Sequence, residues 1–192
     1  MITLDEIVKL ITGYTLLGRK KQEALYNNIL NILELPGDIA EVGVYKGGSS
    51  LLLALAAPNK IIHAFDTFMG LPVPTKVDSH KEGEFIASFE SVRAYLSQVN
   101  NIKIYPGKFP DSGNVIKNNK FCFVHVDVDL YAETLECLKF FYPRLVSNGI
   151  MIIDDYNWGR CKGVNKAIEE YFIDKKQEVK EINGNKQAII IK

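Results

Sequence analysis

Apolar runs of strand type alternate with stretches of helical period along the whole 192-residue chain, and this alternation restricts the fold to the α/β class. Residues 4–12 and 18–34 carry apolar positions at helical spacing, and Pro36-Gly37 stops the second run. They predict a helical N-terminal segment over 1–36, a lid or cap on a main domain spanning 37–192. Strand 38–44, helix 47–57 and strand 60–66 then form one βαβ unit, with right-handed crossover the default. The polar, proline-bearing stretch 67–86 is expected to be a loop or lid over the sheet. A helix at 88–98, strands at 102–105, 121–127 and 149–154, and helices at 132–141 and 164–172 follow. Phe121-Cys-Phe-Val-His-Val126 is nearly continuous apolar sequence, as suits a strand covered on both faces. Asn183-Gly184-Asn185 separates runs 178–182 and 187–191, so the chain should close in a hairpin whose last strand is antiparallel.

Lysine plus arginine and aspartate plus glutamate each number 23, which leaves no global positive field to gather nucleic acid or an anionic membrane. The N-terminus has acid where a signal peptide carries base, and the most apolar stretch, 51–57, is far shorter than the roughly 20 residues of a membrane span. Cys122, Cys137 and Cys161 lack metal spacing and read as reduced, buried thiols, which predicts a cytoplasmic setting. Assembly with a second copy stays open.

In an open parallel sheet the ligand lies at the carboxyl ends of the strands, where strand order reverses, and the first βα turn contributes the cradle. Here that turn is Glu41-Val-Gly-Val-Tyr-Lys-Gly-Gly-Ser-Ser50. Gly43 and Gly47 allow close backbone approach, and Ser49 stands at a helix N-terminus that favours an anionic group. The Gly-x-x-x-Gly-Gly spacing differs from the dinucleotide fingerprint and argues against a pyrophosphate. Asp66, at the end of the next strand, is placed to accept both hydroxyls of a ribose, with Thr67 beside it. Phe68 could stack on a base or fill core.

Asp127-Val-Asp-Leu-Tyr131 follows one buried strand and Asp154-Asp155-Tyr156 the next. If these strands pair, their ends gather carboxylates that repel one another unless protons or a cation relieve them. A hard ion suits the set, Mg²⁺ first and Ca²⁺ or Mn²⁺ next. Asp127, Asp154 and Asp155 are the expected ligands, with Asp129 left to support them or to cap the following helix. His63 and His125 read as satisfied core residues, and His80, in the loop, as an acceptor contact or base.

The three segments Gly37–Ser50, Phe65–Pro72 and Val124–Asp-Tyr156, with the shorter Gly107-Lys-Phe-Pro-Asp-Ser112, resemble the macrocin O-methyltransferase (TylF-type) family over about residues 14 to 173. The resemblance implies a Rossmann-like, seven-stranded class I methyltransferase sheet with helices on both faces. It implies S-adenosylmethionine and Mg²⁺ as cofactors, and a small-molecule hydroxyl, sugar or phenolic, as acceptor. By the same resemblance Glu41, Tyr45 and Ser49 hold the methionine end of the cofactor, Asp66 the ribose, and Asp111 with Ser112 the adenine side. Asp127, Asp154 and Asp155 hold the metal, and Asp127 could accept the acceptor's proton while ligating it. The chain is shorter at its N-terminus than typical members, and it has no lysine directly after the first metal aspartate, where related catechol methyltransferases carry a base.

Two rival readings follow from the same residues. Asp127-Val-Asp129 is formally the DxD signature of a metal-dependent glycosyltransferase, although that reading leaves the glycine turn and the Asp154-Asp155 pair unexplained. A non-catalytic module that binds S-adenosylmethionine is the second.

Overall fold

The computed structural model describes residues 2–192. Seven strands form one sheet in the order β3-β2-β1-β4-β5-β7-β6. They are β1 (Asp38–Val42), β2 (Ile62–Asp66), β3 (Ile102–Pro106), β4 (Phe121–Val126), β5 (Leu145–Asp154), β6 (Lys180–Glu181) and β7 (Gln187–Ile191). The pairs β1–β2, β2–β3, β1–β4 and β4–β5 are parallel, whereas β7 runs antiparallel to both β5 and β6. Strand order therefore reverses between β1 and β4, the place where the glycine turn was expected to form a cradle.

Six helices cover the sheet: α1 (Leu4–Ile11), α2 (Arg19–Asn31), α3 (Gly48–Ala56), α4 (Phe89–Leu96), α5 (Tyr131–Phe141) and α6 (Lys162–Phe172). Alternation along each strand sends side chains into two separate cores. Ile39, Phe123 and Ile152 pack with α1, α2, α3 and α4, while Ala40, Val124 and Ile153 pack with α5 and α6. Among the described residues no helix is long and apolar enough to cross a membrane.

Several boundaries differ from expectation: β1 ends at Val42 rather than 44, β2 begins at Ile62 rather than 60, and α6 begins at Lys162 rather than 164. β5 starts at Leu145 rather than 149, because the register shifts between Phe121 and Phe123 and admits Asn148, at φ 61°, into an irregular first half. β6 keeps only two residues of the expected 178–182, Lys180 and Glu181, which pair with Ile189 and Ala188 of β7. A 3₁₀ turn at Asp111–Ile116 fills a stretch left unassigned from sequence. The hairpin itself is as read, with Asn183 and Gly184 both at positive φ.

The N-terminal segment is tied to the sheet's working end. Its helices pack on α3, and Gly48, the first residue of α3, donates its N–H to the carbonyl of Tyr14 at 2.9 Å. Tyr14 stacks on Tyr95 of α4 with ring centroids 3.7 Å apart, so residues 12–18 cross directly over the glycine turn.

Candidate active site

The site starts from a backbone constraint. Gly43 follows β1 at φ +95°, and a Cβ there would stand 1.9 Å from the carbonyl oxygen of Asp127. The Asp127 N–H in turn donates to Val42 O at 2.9 Å, so the carboxyl ends of β1 and β4 are held too close for any side chain between them. The turn continues through Tyr45 (φ 51°) to Gly47 (φ 90°), which N-caps α3.

Asp66 secures this turn from β2. Its Oδ2 accepts the N–H groups of Val44 and Tyr45, both at 2.8 Å, and its Oδ1 accepts that of Phe68 at 2.7 Å. A carboxylate offers about four lone-pair sites, so a ligand hydroxyl can still be received. A cavity of about 380 Å³ opens above, lined by Gly43, Tyr45, Ser49, Asp66 and Thr67 on one side and by Asp127, Asp129 and Asp155 on the other.

Six predicted residues do not line it. Phe68 fills core, with its ring 5.2 Å from that of Phe89, which decides between the two roles left open for it. Gly47 is covered by Tyr95 and Leu96 of α4. Asp111 lies exposed on the 3₁₀ turn, and Ser112 has a buried hydroxyl with no partner among the described residues. Glu41 and Asp154 are fully buried beneath the cavity.

That burial follows from strand alternation. Glu41 stands directly opposite His125 in the β1–β4 register, and Asp154 lies two residues beyond the Ile152 that pairs with His125. All three point into the layer under α1 to α3. His125 Nδ1 meets Glu41 Oε1 at 2.9 Å and its Nε2 meets Asp154 Oδ1 at 3.2 Å. Ser50 of α3 donates to the other Glu41 oxygen, and Gln187, opposite Asp154 in β7, donates to Asp154 Oδ1 at 2.6 Å. Burial alone would depress the imidazole's pKa, but the two carboxylates outweigh it and raise it to about 10. Asp154 is correspondingly held below its usual value, its burial overcome by the His125 hydrogen bond. His125 is thus a satisfied core histidine, as read from the sequence, that also ties two predicted site carboxylates together.

The carboxylate oxygens that converge within 4.8 Å on the cavity side belong to Asp127, Asp129 and Asp155, whereas Asp154 groups with Asp127 and His125. The sequence reading placed Asp129 in support. Capping of α5 is instead done from the 67–86 loop, where Asp78 Oδ1 accepts the Tyr131 N–H at 2.9 Å. Asp129, at φ 61°, turns its carboxylate to Asp155 and to His80, whose Nε2 is 3.7 Å away. Its position two residues after Asp127, in the same Asp-x-Asp step, was the signal for it. Burial, then the neighbouring Asp155 charge, raises the Asp129 pKa to about 7. Burial and the charges of Asp154 and Asp155 push Asp127 well above its ordinary value.

Sequence reasoning missed Lys21. From α2 its ammonium reaches Asp154 Oδ2 at 3.0 Å and Asp155 Oδ1 at 2.8 Å. Burial would lower its pKa, but these carboxylates reverse the sign and hold it fully charged. No motif marks it, because an exposed-looking Arg19-Lys-Lys21 run gives no hint of which lysine turns inward. Even with Lys21 and His125 charged, Glu41, Asp127, Asp129, Asp154 and Asp155 leave negative charge in excess.

A glycine cradle, an acid at the end of β2 and an acidic centre on the facing wall form the setting in which known proteins become informative. The family model described as Macrocin-O-methyltransferase (TylF) matches residues 9–185. The chain belongs to this family. It is 28% identical to the 8-demethyl-8-(2,3-dimethoxy-alpha-L-rhamnosyl)-tetracenomycin-C 4'-O-methyltransferase of Streptomyces olivaceus, over 83% of this chain and 67% of that one. It is 27% identical to the mycinamicin III 3''-O-methyltransferase of Micromonospora griseorubida, over 83% and 70% respectively. Its fold is similar to that of the O-methyltransferase NovP, with a TM-score of 0.77 at 22% identity, covering 93% of this chain and 82% of that structure. The calicheamicin methyltransferase CalS11 superposes with a TM-score of 0.72 at 21% identity, covering 98% and 90%. As a macrocin O-methyltransferase family member the chain is an O-methyltransferase.

Asp66 supplies a prediction for the donor side. Asp66→Ala leaves three turn N–H groups without their acceptor, each worth about 1–3 kcal/mol when buried and unpaired. Calorimetry should find S-adenosylmethionine binding weakened at least tenfold, and unchanged affinity would remove Asp66 from the donor site.

Proposed function

We propose that this methyltransferase acts on a sugar hydroxyl of a glycosylated small molecule, with a divalent cation, Mg²⁺ first, held by Asp127, Asp154 and Asp155. The observation that carries the reading is one cavity with the glycine cradle on one wall and the acidic centre on the other. The names of the relatives, which specify a 4'-O position on a rhamnosyl-bearing tetracenomycin and a 3''-O position on mycinamicin III, favour a sugar. Trp158, 37% exposed on the cavity wall with Arg160 over its ring at 5.6 Å, offers a flat face for such a ring.

The acidic centre fits a hard cation. Asp154 Oδ2 is buried and has no aligned hydrogen bond, only the Lys21 ammonium at 3.0 Å, and the surrounding negative charge exceeds the positive. When bound, such an ion would lower the pKa of an acceptor hydroxyl and stabilise the resulting oxyanion. The chain's own groups supply the rest. Ser49 and Tyr45 hold the methionine end of the donor at the α3 terminus, and Asp66 with Thr67 the ribose. Asp129, on the cavity wall with its pKa raised to about 7, is the proposed acceptor of the hydroxyl proton in place of Asp127, and its carboxylate's place beside Asp155 and His80 supports that role. The acceptor oxygen then attacks the sulfonium methyl of S-adenosylmethionine, the carbon–sulfur bond breaks with its electron pair returning to sulfur, and S-adenosylhomocysteine leaves, with orientation as the main contribution.

The test is transfer of labelled methyl from S-adenosylmethionine to a panel of glycosides and phenols with Mg²⁺. Asp127→Ala and Asp154→Ala should each lower turnover by at least about 10³-fold while leaving donor binding within a few fold. Full activity of both variants, or of the wild type in EDTA, would sink the cation role.

A further inference from the structure

We infer that Lys21 is a built-in counter-cation: its ammonium occupies the position between Asp154 and Asp155 that a divalent ion must take, so ion binding requires this side chain to withdraw. The inference rests on the cation reading above and adds a competitor from the N-terminal segment.

The geometry comes first. Lys21 Nζ bridges Asp154 Oδ2 and Asp155 Oδ1 at 3.0 and 2.8 Å, two of the three proposed ligands, and the charge of the third, Asp127, bears on it as well. Those are distances at which an ammonium acts as a point charge with movable donors. Asp154 is meanwhile half committed. Its Oδ1 is held by His125 and Gln187, while its Oδ2, fully buried, makes no aligned hydrogen bond. An oxygen left in that state is explained if its partner is exchangeable, since a permanent one would be expected to satisfy it. Removing Lys21 without replacement would leave Asp127, Asp154 and Asp155 mutually repulsive in a buried setting, so one cation must follow the other.

Withdrawal has a route. Lys21 is 18% exposed at its side chain and lines the cavity, and its four-carbon stem lets the ammonium swing toward that space while α2 stays packed on α3. Residues 15–17, just before α2, form part of the same wall, so the exchange takes place beside the acceptor's position.

Calorimetric titration of Mn²⁺ into the full chain tests this, using Lys21→Met, Lys21→Arg and the double variant Lys21→Met/Asp154→Asn. Lys21→Met should bind Mn²⁺ at least tenfold more tightly than the wild type. Lys21→Arg, which keeps the charge, should stay as weak as the wild type, and the double variant should lose the gain. In EDTA the melting temperature of Lys21→Met should fall below that of the wild type, and Mn²⁺ should raise it by more. Equal or weaker Mn²⁺ binding by Lys21→Met, or a gain that survives Asp154→Asn, overturns the inference. Methyl transfer by the wild type that persists undiminished in EDTA would overturn the cation reading instead, and is measured independently of these titrations.

Discussion

Gly43→Ala should destabilise the protein by about 2–6 kcal/mol and abolish donor binding, the largest effect expected of any methyl-sized change in the chain. One contribution is local: an alanine at φ +95° sits in a region that costs of order 1–3 kcal/mol. The other is long-range in sequence. The new Cβ would stand 1.9 Å from the Asp127 carbonyl oxygen, so β1 and β4 must separate, and forced overpacking of this kind costs about 1–3 kcal/mol. Separation displaces both sides of the site together, because the same strand ends carry the glycine turn and Asp127. Gly159→Ala is the control, since nothing lies within 4 Å of its Cβ and its φ is ordinary. Urea denaturation and calorimetry with S-adenosylmethionine check both variants. A Gly43→Ala protein within about 1 kcal/mol of wild type would mean that β1 and β4 are less tightly apposed than described.

The residues that were legible in the sequence share a property: their signal is local. Hydrophobic period, the Pro36-Gly37 stop and the Asn183-Gly184 turn each report on a few neighbouring residues, and the elements they mark are present. The Gly43 turn and Asp66 were legible because chain order places them at successive strand ends. What escaped depends on contacts distant in sequence. Whether Glu41 faces the cavity or the core is decided by its register with His125, 84 residues away. The orientation of Asp154 is set by Gln187 and His125, and the place of Lys21 by a partner 134 residues away. Asp129 was underrated because a residue before a helix reads as its cap, while Asp78 performs that task from a loop. Sequence pattern thus located the acidic centre, and tertiary register distributed the work among its members.

That register has an energetic consequence at His125. Its imidazolium lies between Glu41 and Asp154 with all three side chains fully buried, and it joins the donor turn, through Ser50, to the acidic centre. His125→Leu keeps the volume roughly constant but strands two carboxylates, and breaking a buried pair from one side costs about 3–5 kcal/mol. Glu41→Gln added to His125→Leu should recover part of that loss, because one stranded charge is gone. The pH dependence carries a definite sign. A histidine raised from 6.5 to about 10 by folding contributes stability that is fully present below pH 6.5 and disappears as pH rises through 10. Wild-type unfolding free energy, followed by urea denaturation, should therefore decline between pH 6.5 and 10, and His125→Leu should lack that decline. If instead the two proteins lose stability in parallel over this window, His125 is neutral in the fold and the link between donor turn and acidic centre is a neutral hydrogen-bond chain. With the expected result, the buried cation holds Glu41 and Asp154 in place, and the donor cradle and the proposed ion site are set by one network.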